Sequence, residues 1–359
     1  PCLRFFEPRE PRMTPYWLLF VLVTFAVVAP GRLRARDSTV VWVFVGVALT
    51  AFMGLRYQVG GAWGSYSRHL EVASGLDFME AVGRGDPGHY VVNWAVARLG
   101  GSIYWVNLLY GAVMMWGTVV FCRRQPWPWM ALLVAVPYLL IVVGMGYSRQ
   151  AVALGFALLG LVALGEHRTR TFVIMIVLGA LFHKSAVLLL PIAALANSRN
   201  RFLTAGLVGA TFVLMYFLLV SDDADHLWTQ YVEYQMQSEG SKIRVLMNAI
   251  PAGLLLLWSG RLVPDPQERK LWTWIALFAL LCLPIVSFAS TAVDRVALYL
   301  IPIQLFVFSR VPKLAGNDVR LRTLLVLSVI AYYAAVMFVW LNFASHSNDW
   351  VPYQFGPFV

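Results

Sequence analysis

Six residues carry most of the chemistry this sequence could do: Arg56, Arg149 and Arg295, with Asp86, His183 and Asp294. All stand at or near the ends of apolar runs. An arginine fork binds phosphate oxygens two at a time and stays charged at any working pH. A diphosphate held that way is a good leaving group, because guanidinium groups neutralise the charge that develops as it departs. A nearby His183, Asp86 or Asp294 can take the proton of an attacking hydroxyl. The combination describes transfer from a phosphate-activated donor to a hydroxyl. Each residue also has a plainer use. An arginine at a helix end can snorkel as an interfacial anchor, a lone histidine can be satisfied inside a bundle, and Asp294 can cap the helix that follows it. Only convergence in one place would make a site.

Other chemistries lack their residues. There is no Gly-Lys-Ser/Thr phosphate loop, no His-Glu-x-x-His and no Gly-x-Ser-x-Gly elbow. Cys2, Cys122 and Cys282 lie far apart and match no metal or redox spacing. No carboxylate cluster suits a divalent cation, so neither a metal nor a cofactor is expected. The net charge of +10 comes from basic residues that stand singly or in short groups between apolar runs. That is unlike the clustered basic face of a nucleic-acid binder.

The elements that must position these residues are set by composition. Of 359 residues, 60% are hydrophobic and 13% charged, and the mean hydropathy is +0.69. A soluble domain has about 45–50% apolar and about 25% charged residues, so the chain reads as an integral membrane protein. A spanning helix needs about 17–25 mostly apolar residues. Twelve runs qualify or nearly do: 16–30, 39–55, 103–121, 128–146, 149–165, 171–182, 185–196, 202–220, 244–259, 271–290, 295–309 and 321–342. The run 171–196 is broken at Phe182-His183-Lys184-Ser185, and 88–99 is too short and polar to span, so it reads as a re-entrant or interfacial helix. Residues 1–12 are polar and proline-rich and read as a disordered or non-native extension, with Met13 as the start. Residues 13–359 then form a single polytopic domain with outer loops 56–102 and 221–243. The first run is followed by Arg32, Arg34 and Arg36, which marks a retained helix rather than a cleaved signal.

Charge sets the orientation. With Met13 outside, the inner loops carry 16 of the 28 Lys and Arg residues against five acids. The outer side, from Met13 onward, carries nine basic residues and eleven acids. This follows the positive-inside rule. It also gathers the unusual polar residues on the outer face: Arg56 and Asp86 in the large loop, Arg149 at a helix start, His183 at the break, Asp294 and Arg295 at another helix start, and the tail with Trp350 and Tyr353. Ionisable residues at this level usually face a cavity. A wide helical surface beside three arginines suits a lipid-linked phosphate or diphosphate. An attached sugar would make the chemistry glycosyl transfer.

Six segments, in order, resemble the EpsG family of exopolysaccharide polymerases, which are related in role to the Wzy O-antigen polymerases. Gly54-Leu55-Arg56-Tyr57-Gln58-Val59-Gly60 resembles its Arg-x-x-x-Gly segment, and Asp86-Pro87-Gly88-His89-Tyr90 its acid-Pro-Gly element. Tyr147-Ser148-Arg149-Gln150-Ala151 resembles its Arg-Gln helix start, and Phe182-His183-Lys184-Ser185-Ala186 its Phe-His-x-Ser-Ala element. Asp294-Arg295-Val296-Ala297-Leu298-Tyr299 resembles its Arg-x-x-x-Tyr helix, and Asn348-Asp349-Trp350-Val351-Pro352-Tyr353 its terminal Trp-x-Pro-Tyr. One departure stands out. Where the family often has Gly-Thr-Asp before an aromatic, this chain has Gly60-Gly61-Ala62-Trp63, with Asp86 or Glu71 as candidate substitutes.

The resemblance implies an all-helical, GT-C-like glycosyltransferase in the bacterial cytoplasmic membrane. It would join undecaprenyl-diphosphate-linked oligosaccharides at the outer face, beside a chain-length regulator and other export proteins. In this reading Arg149 and Arg295 hold the donor diphosphate and Arg56 helps hold the acceptor. His183, or in its place Asp86 or Asp294, is the base, and Tyr147, Trp350 and Tyr353 line the sugar site. A flippase of lipid-linked sugars, or a membrane acyltransferase acting on polysaccharide, are the alternatives.

Overall fold

The computed structural model describes residues 10–29, 38–196, 240–288 and 290–358, with isolated positions between 202 and 213. Most of the expected span 202–220, most of the loop 221–243 and residues 1–9 of the expected extension lie outside the described residues.

Among the described residues the chain is helical, with one isolated antiparallel bridge, Arg56 to Phe355. It begins with α1 (Glu10–Val28) and α2 (Thr39–Gly54), the second capped by Ser38, whose side chain accepts from the Val41 N–H. Three short helices follow: α3 (Trp63–Ser74), α4 (Phe78–Gly83) and α5 (Pro87–Arg98). Asp77 and Glu80 close a reciprocal capping box on α4. Next come α6 (Ile103–Arg123) and α7 (Pro128–Ala135). The latter runs on through a π-helical stretch, Val136–Val143, to the short α8 (Gly144–Gly146). Pro137 has no N–H to give the ladder, and the register widens there. Then follow α9 (Ser148–Gly165) and α10 (Thr169–Ala180). The polypeptide breaks at Leu181–His183 and re-enters as a 3₁₀ turn, Lys184–Leu189, and α11 (Leu190–Ala196). The second half holds α12 (Ser241–Leu257), α13 (Ser259–Leu262), α14 (Pro266–Ile285), α15 (Ser290–Leu300), α16 (Pro302–Phe308) and α17 (Val319–Phe343).

Among the described residues four helical stretches are long and apolar enough to cross a bilayer: Ile103–Arg123, Pro128–Gly146, Ser148–Gly165 and Val319–Phe343. A fifth is the pair Ser290–Leu300 and Pro302–Ala315, bent by 43° where Pro302 interrupts it. Met13–Val28, Thr39–Gly54 and Thr169–Ala180 are shorter apolar helices. The chain is therefore an all-helical membrane protein. The stretch Pro128–Gly146 is the buried post of the bundle, with Leu132, Leu133, Leu139 and Val143 at 0% exposure. Helices α6 and α9 cross at Gly117 and Gly155. A Cβ on Gly117 would lie 2.1 Å from the Gly155 carbonyl oxygen, so only glycine allows this approach. Leu18, Leu22 and Phe25 on α1, Val40, Val43, Phe44 and Val47 on α2, and Leu324, Leu327 and Phe338 on α17 are exposed. In lipid such a face is at home; in water it would be an aggregation surface.

Candidate functional site

Arg56 follows α2 and is 1% exposed. Its Nε donates to the Val59 carbonyl at 3.0 Å, its Nη1 to the Met53 carbonyl, and its Nη2 to the Met145 carbonyl at 2.9 Å and Ser148 Oγ at 3.0 Å. Asn107 Oδ1 is a longer acceptor at 3.4 Å. The fork thus ties the end of α2 to the α8–α9 junction. The loop can curl round it because Gly60 takes φ +98°. The sequence expectation set Arg56 beside an acceptor; in the fold its donors meet the protein's own oxygens, and it is not among the residues that line the cavity beside it.

Beside this clamp lies a cavity of about 970 Å³. Tyr147, Arg149, His183, Asp294, Arg295 and Trp350 all line it, although they come from four separate stretches of the sequence. The other lining includes Tyr66, Tyr138, Arg244 and Asp349, and an apolar wall with Ile243, Leu246 and Ile250 on α12 and Val336 and Val339 on α17. Arg149 sits in the first turn of α9, with its Nη1 on Asp86 Oδ2 at 2.7 Å. Its Nε is buried with no protein partner. Asp294 lies inside α15, which begins at Ser290, so it is not that helix's cap; its Oδ1 instead accepts from Arg244 Nε. Arg244 Nη1 also donates to Tyr138 Oη at 3.2 Å. Arg295, the next residue, is exposed at the cavity. His183 Nδ1 lies 2.6 Å from Ser185 Oγ, which leaves Nε2 for other partners.

Two expected residues fall elsewhere. Asp86 is 7% exposed at the start of α5 and does not line the cavity; it reaches the site only through Arg149. Burial raises its pKa above the ordinary value, and the Arg149 charge opposes that rise. Tyr353 stacks on Phe52 with ring centroids 4.4 Å apart, and its hydroxyl donates to the Phe52 carbonyl at 2.8 Å. It belongs to the seam between tail and α2 rather than to the cavity wall. Trp350 is the hinge between the two environments. Its Nε1 donates to the Ile141 carbonyl at 2.9 Å, and its ring lies where a Cβ on Gly146 would be, 2.3 Å from Cζ2.

Behind Arg149 stands a buried polar relay that the sequence reading did not single out. Tyr110 Oη is 2.7 Å from His89 Nδ1, and His89 Nε2 is 2.9 Å from His69 Nδ1. The Asn93 amide Nδ2 also lies 3.3 Å from His89 Nδ1 and can only donate; with Nδ1 as the acceptor, His89 carries its proton on Nε2 and passes a hydrogen bond to His69. Burial, and then the Arg149 charge, push His89 down to about 2; the same causes, in the same order, lower His69. Both rings are neutral at ordinary pH and add no charge beside the arginines.

Arg244 and Asp349 are the cavity residues that sequence reasoning missed. Arg244 lies near the start of a helix after an acidic stretch, so it reads as a surface charge. No curated protein and no solved structure matches the chain. The model of the EpsG family matches residues 39–355, which takes in every element that lines the cavity and all six resembling segments, and the chain belongs to the EpsG family.

Proposed function

We propose that the protein is a polysaccharide polymerase that joins lipid-diphosphate-linked oligosaccharide units at the outer face of the bacterial cytoplasmic membrane. Membership of the EpsG family points to polymerase-type glycosyl transfer in exopolysaccharide biosynthesis. The observation that carries the finer reading is the make-up of the cavity at Arg149. It joins three arginines, Arg149, Arg244 and Arg295, to a wall of Ile243, Leu246, Ile250, Val336 and Val339. That pairing suits an amphiphile whose head is anionic and whose tail is a hydrocarbon. The charge count, which gives the cavity end of α9 to the outside, supports action at the outer leaflet. A GT-C-like bundle of twelve spans, with undecaprenyl as the carrier lipid, completes the reading.

In this mechanism Arg149 and Arg295 grip the donor diphosphate. Arg149 is aimed by Asp86, and Arg244, aimed by Asp294, neutralises charge as the bond to the anomeric carbon breaks. His183 orients the attacking hydroxyl through Nε2, and the ring faces of Tyr147 and Trp350 flank the sugars. Asp86 and Asp294 are poor bases here, because an arginine engages the oxygens of each carboxylate. The test is polymer length in a strain lacking the gene, complemented with wild type or with Arg149→Ala, His183→Ala or Arg295→Ala. Single repeat units in the deletion strain, with long chains restored only by wild type, are the expected result. Lipid-linked units trapped at the inner leaflet would point to a flippase. Normal polymer lacking one decoration would point to an acyltransferase.

A further inference from the structure

The cavity needs a proton acceptor, and two of the three carboxylates in and around it face arginines: Asp86 takes Arg149 and Asp294 takes Arg244. Asp349 differs. It ends the 3₁₀ turn Ser347–Asp349 on the cavity rim. Among the described residues its ionic neighbour is His346, whose Nδ1 is 3.8 Å from Oδ2 on an exposed turn. A carboxylate with no arginine on it keeps its lone pairs for substrate.

The carboxylate is also held in place. The Gly60 N–H donates to the Asp349 carbonyl at 2.7 Å. The next residue, Trp350, is 3% exposed, and its carbonyl accepts from Tyr16 Oη at 2.6 Å. A Cβ on Gly61, which lines the same cavity, would lie 2.8 Å from Asp349 Oδ2. The bare backbone at position 61 makes the room in which the carboxylate stands.

We propose that Asp349 is the general base of the transfer, a statement that rests on the polymerase reading above. The acceptor sugar hydroxyl attacks the anomeric carbon of the donor, and its proton passes to the Asp349 carboxylate. The bond from that carbon to the diphosphate oxygen breaks, and the electron pair leaves with the lipid diphosphate on Arg149 and Arg295. Asp349 then returns the proton to water at the rim.

The test uses full-length protein in membranes and lipid-linked repeat units extracted from the deletion strain. Chain-extension rate is measured across pH for wild type, Asp349→Asn, Asp349→Glu and Gly61→Ala. Binding is followed separately as the shift in melting temperature given by farnesyl diphosphate. Asp349→Asn should slow extension by at least about 100-fold, with the wild-type melting temperature and the wild-type farnesyl diphosphate shift. Asp349→Glu should keep part of the rate, which an aspartate with a purely structural role would not allow. Gly61→Ala displaces the end of a flexible side chain and not backbone, so the protein folds and extension falls by up to about 100-fold through misplacement of the base. Asp349→Asn extending at the wild-type rate overturns the assignment. Wild type that binds farnesyl diphosphate yet extends no chain overturns the polymerase reading itself, and the base with it.

Discussion

Replacing Arg56 with Met separates an arginine that builds the site from one that binds substrate. The side chain keeps its apolar stem and loses its fork. Three backbone carbonyls, of Met53, Val59 and Met145, lose a donor at once, and so does Ser148 Oγ. A buried acceptor left without a partner costs about 1–3 kcal/mol, so the carbonyls alone come to about 3–9 kcal/mol. A water can enter the vacated space, which favours the lower end, about 3 kcal/mol. Against a total of about 5–15 kcal/mol that is a large loss. Thermal unfolding of the detergent-solubilised protein should show a clear drop in melting temperature. At a temperature where the variant is still folded, farnesyl diphosphate should stabilise it as it does wild type. Arg56→Met with an unchanged melting temperature and no response to farnesyl diphosphate would refute the reasoning, because it would put Arg56 on the ligand.

Arg149→Lys should shorten the polymer nearly as much as Arg149→Ala in the complementation assay, since Lys loses the fork that spans Asp86 and a phosphate; long chains from the Lys variant would remove bidentate binding. Gly146→Ala sets a Cβ 2.3 Å from the buried Trp350 ring and should lower both melting temperature and chain length. His89 is depressed from 6.5 to about 2 in the folded protein, so the unfolded chain binds the extra proton. The stability His89 contributes is complete above about pH 6.5 and drains away as pH falls toward about 2. Melting temperature measured from pH 7 to pH 4 should fall, and His89→Gln should flatten the slope.

The apolar runs 103–121, 128–146, 149–165 and 321–342 reappear as helices of spanning length, with ends moved by a few residues. Length and hydropathy are enough when a helix is continuous. They fail where a helix is short or bent: 39–55 and 171–182 are apolar helices below spanning length, and 295–309 is split at Pro302. The site was legible where a polar residue interrupts an apolar run, as at Arg149, His183 and Arg295. Arg56 has the same signature, yet its fork faces carbonyls, because an arginine beside a helix end looks alike in sequence whether it holds a loop or a ligand. Arg244 and Asp349 carried no such mark. One follows an acidic loop and the other sits in a polar tail, and only the fold brings them to the cavity. The acid missing after Gly60 was sought at Asp86 or Glu71. Asp86 lies behind Arg149 and Glu71 is exposed on α3, whereas the carboxylate beside Gly61 comes from Asp349.

The tail returns to the first loop along a line of backbone hydrogen bonds: Gly60 to Asp349, Tyr57 to Gln354 and Gly356 to Leu55. Tyr16 and Trp350 are joined across 334 positions. Helices that leave the ribosome early can enter the membrane and pack, but the rim of the cavity waits for residues 349–356. Such distant contacts form late and slowly. A ribosome that stalls before Asp349 therefore releases a chain with arginines in place and no finished cavity. Translation to the tail becomes the condition for a complete cavity.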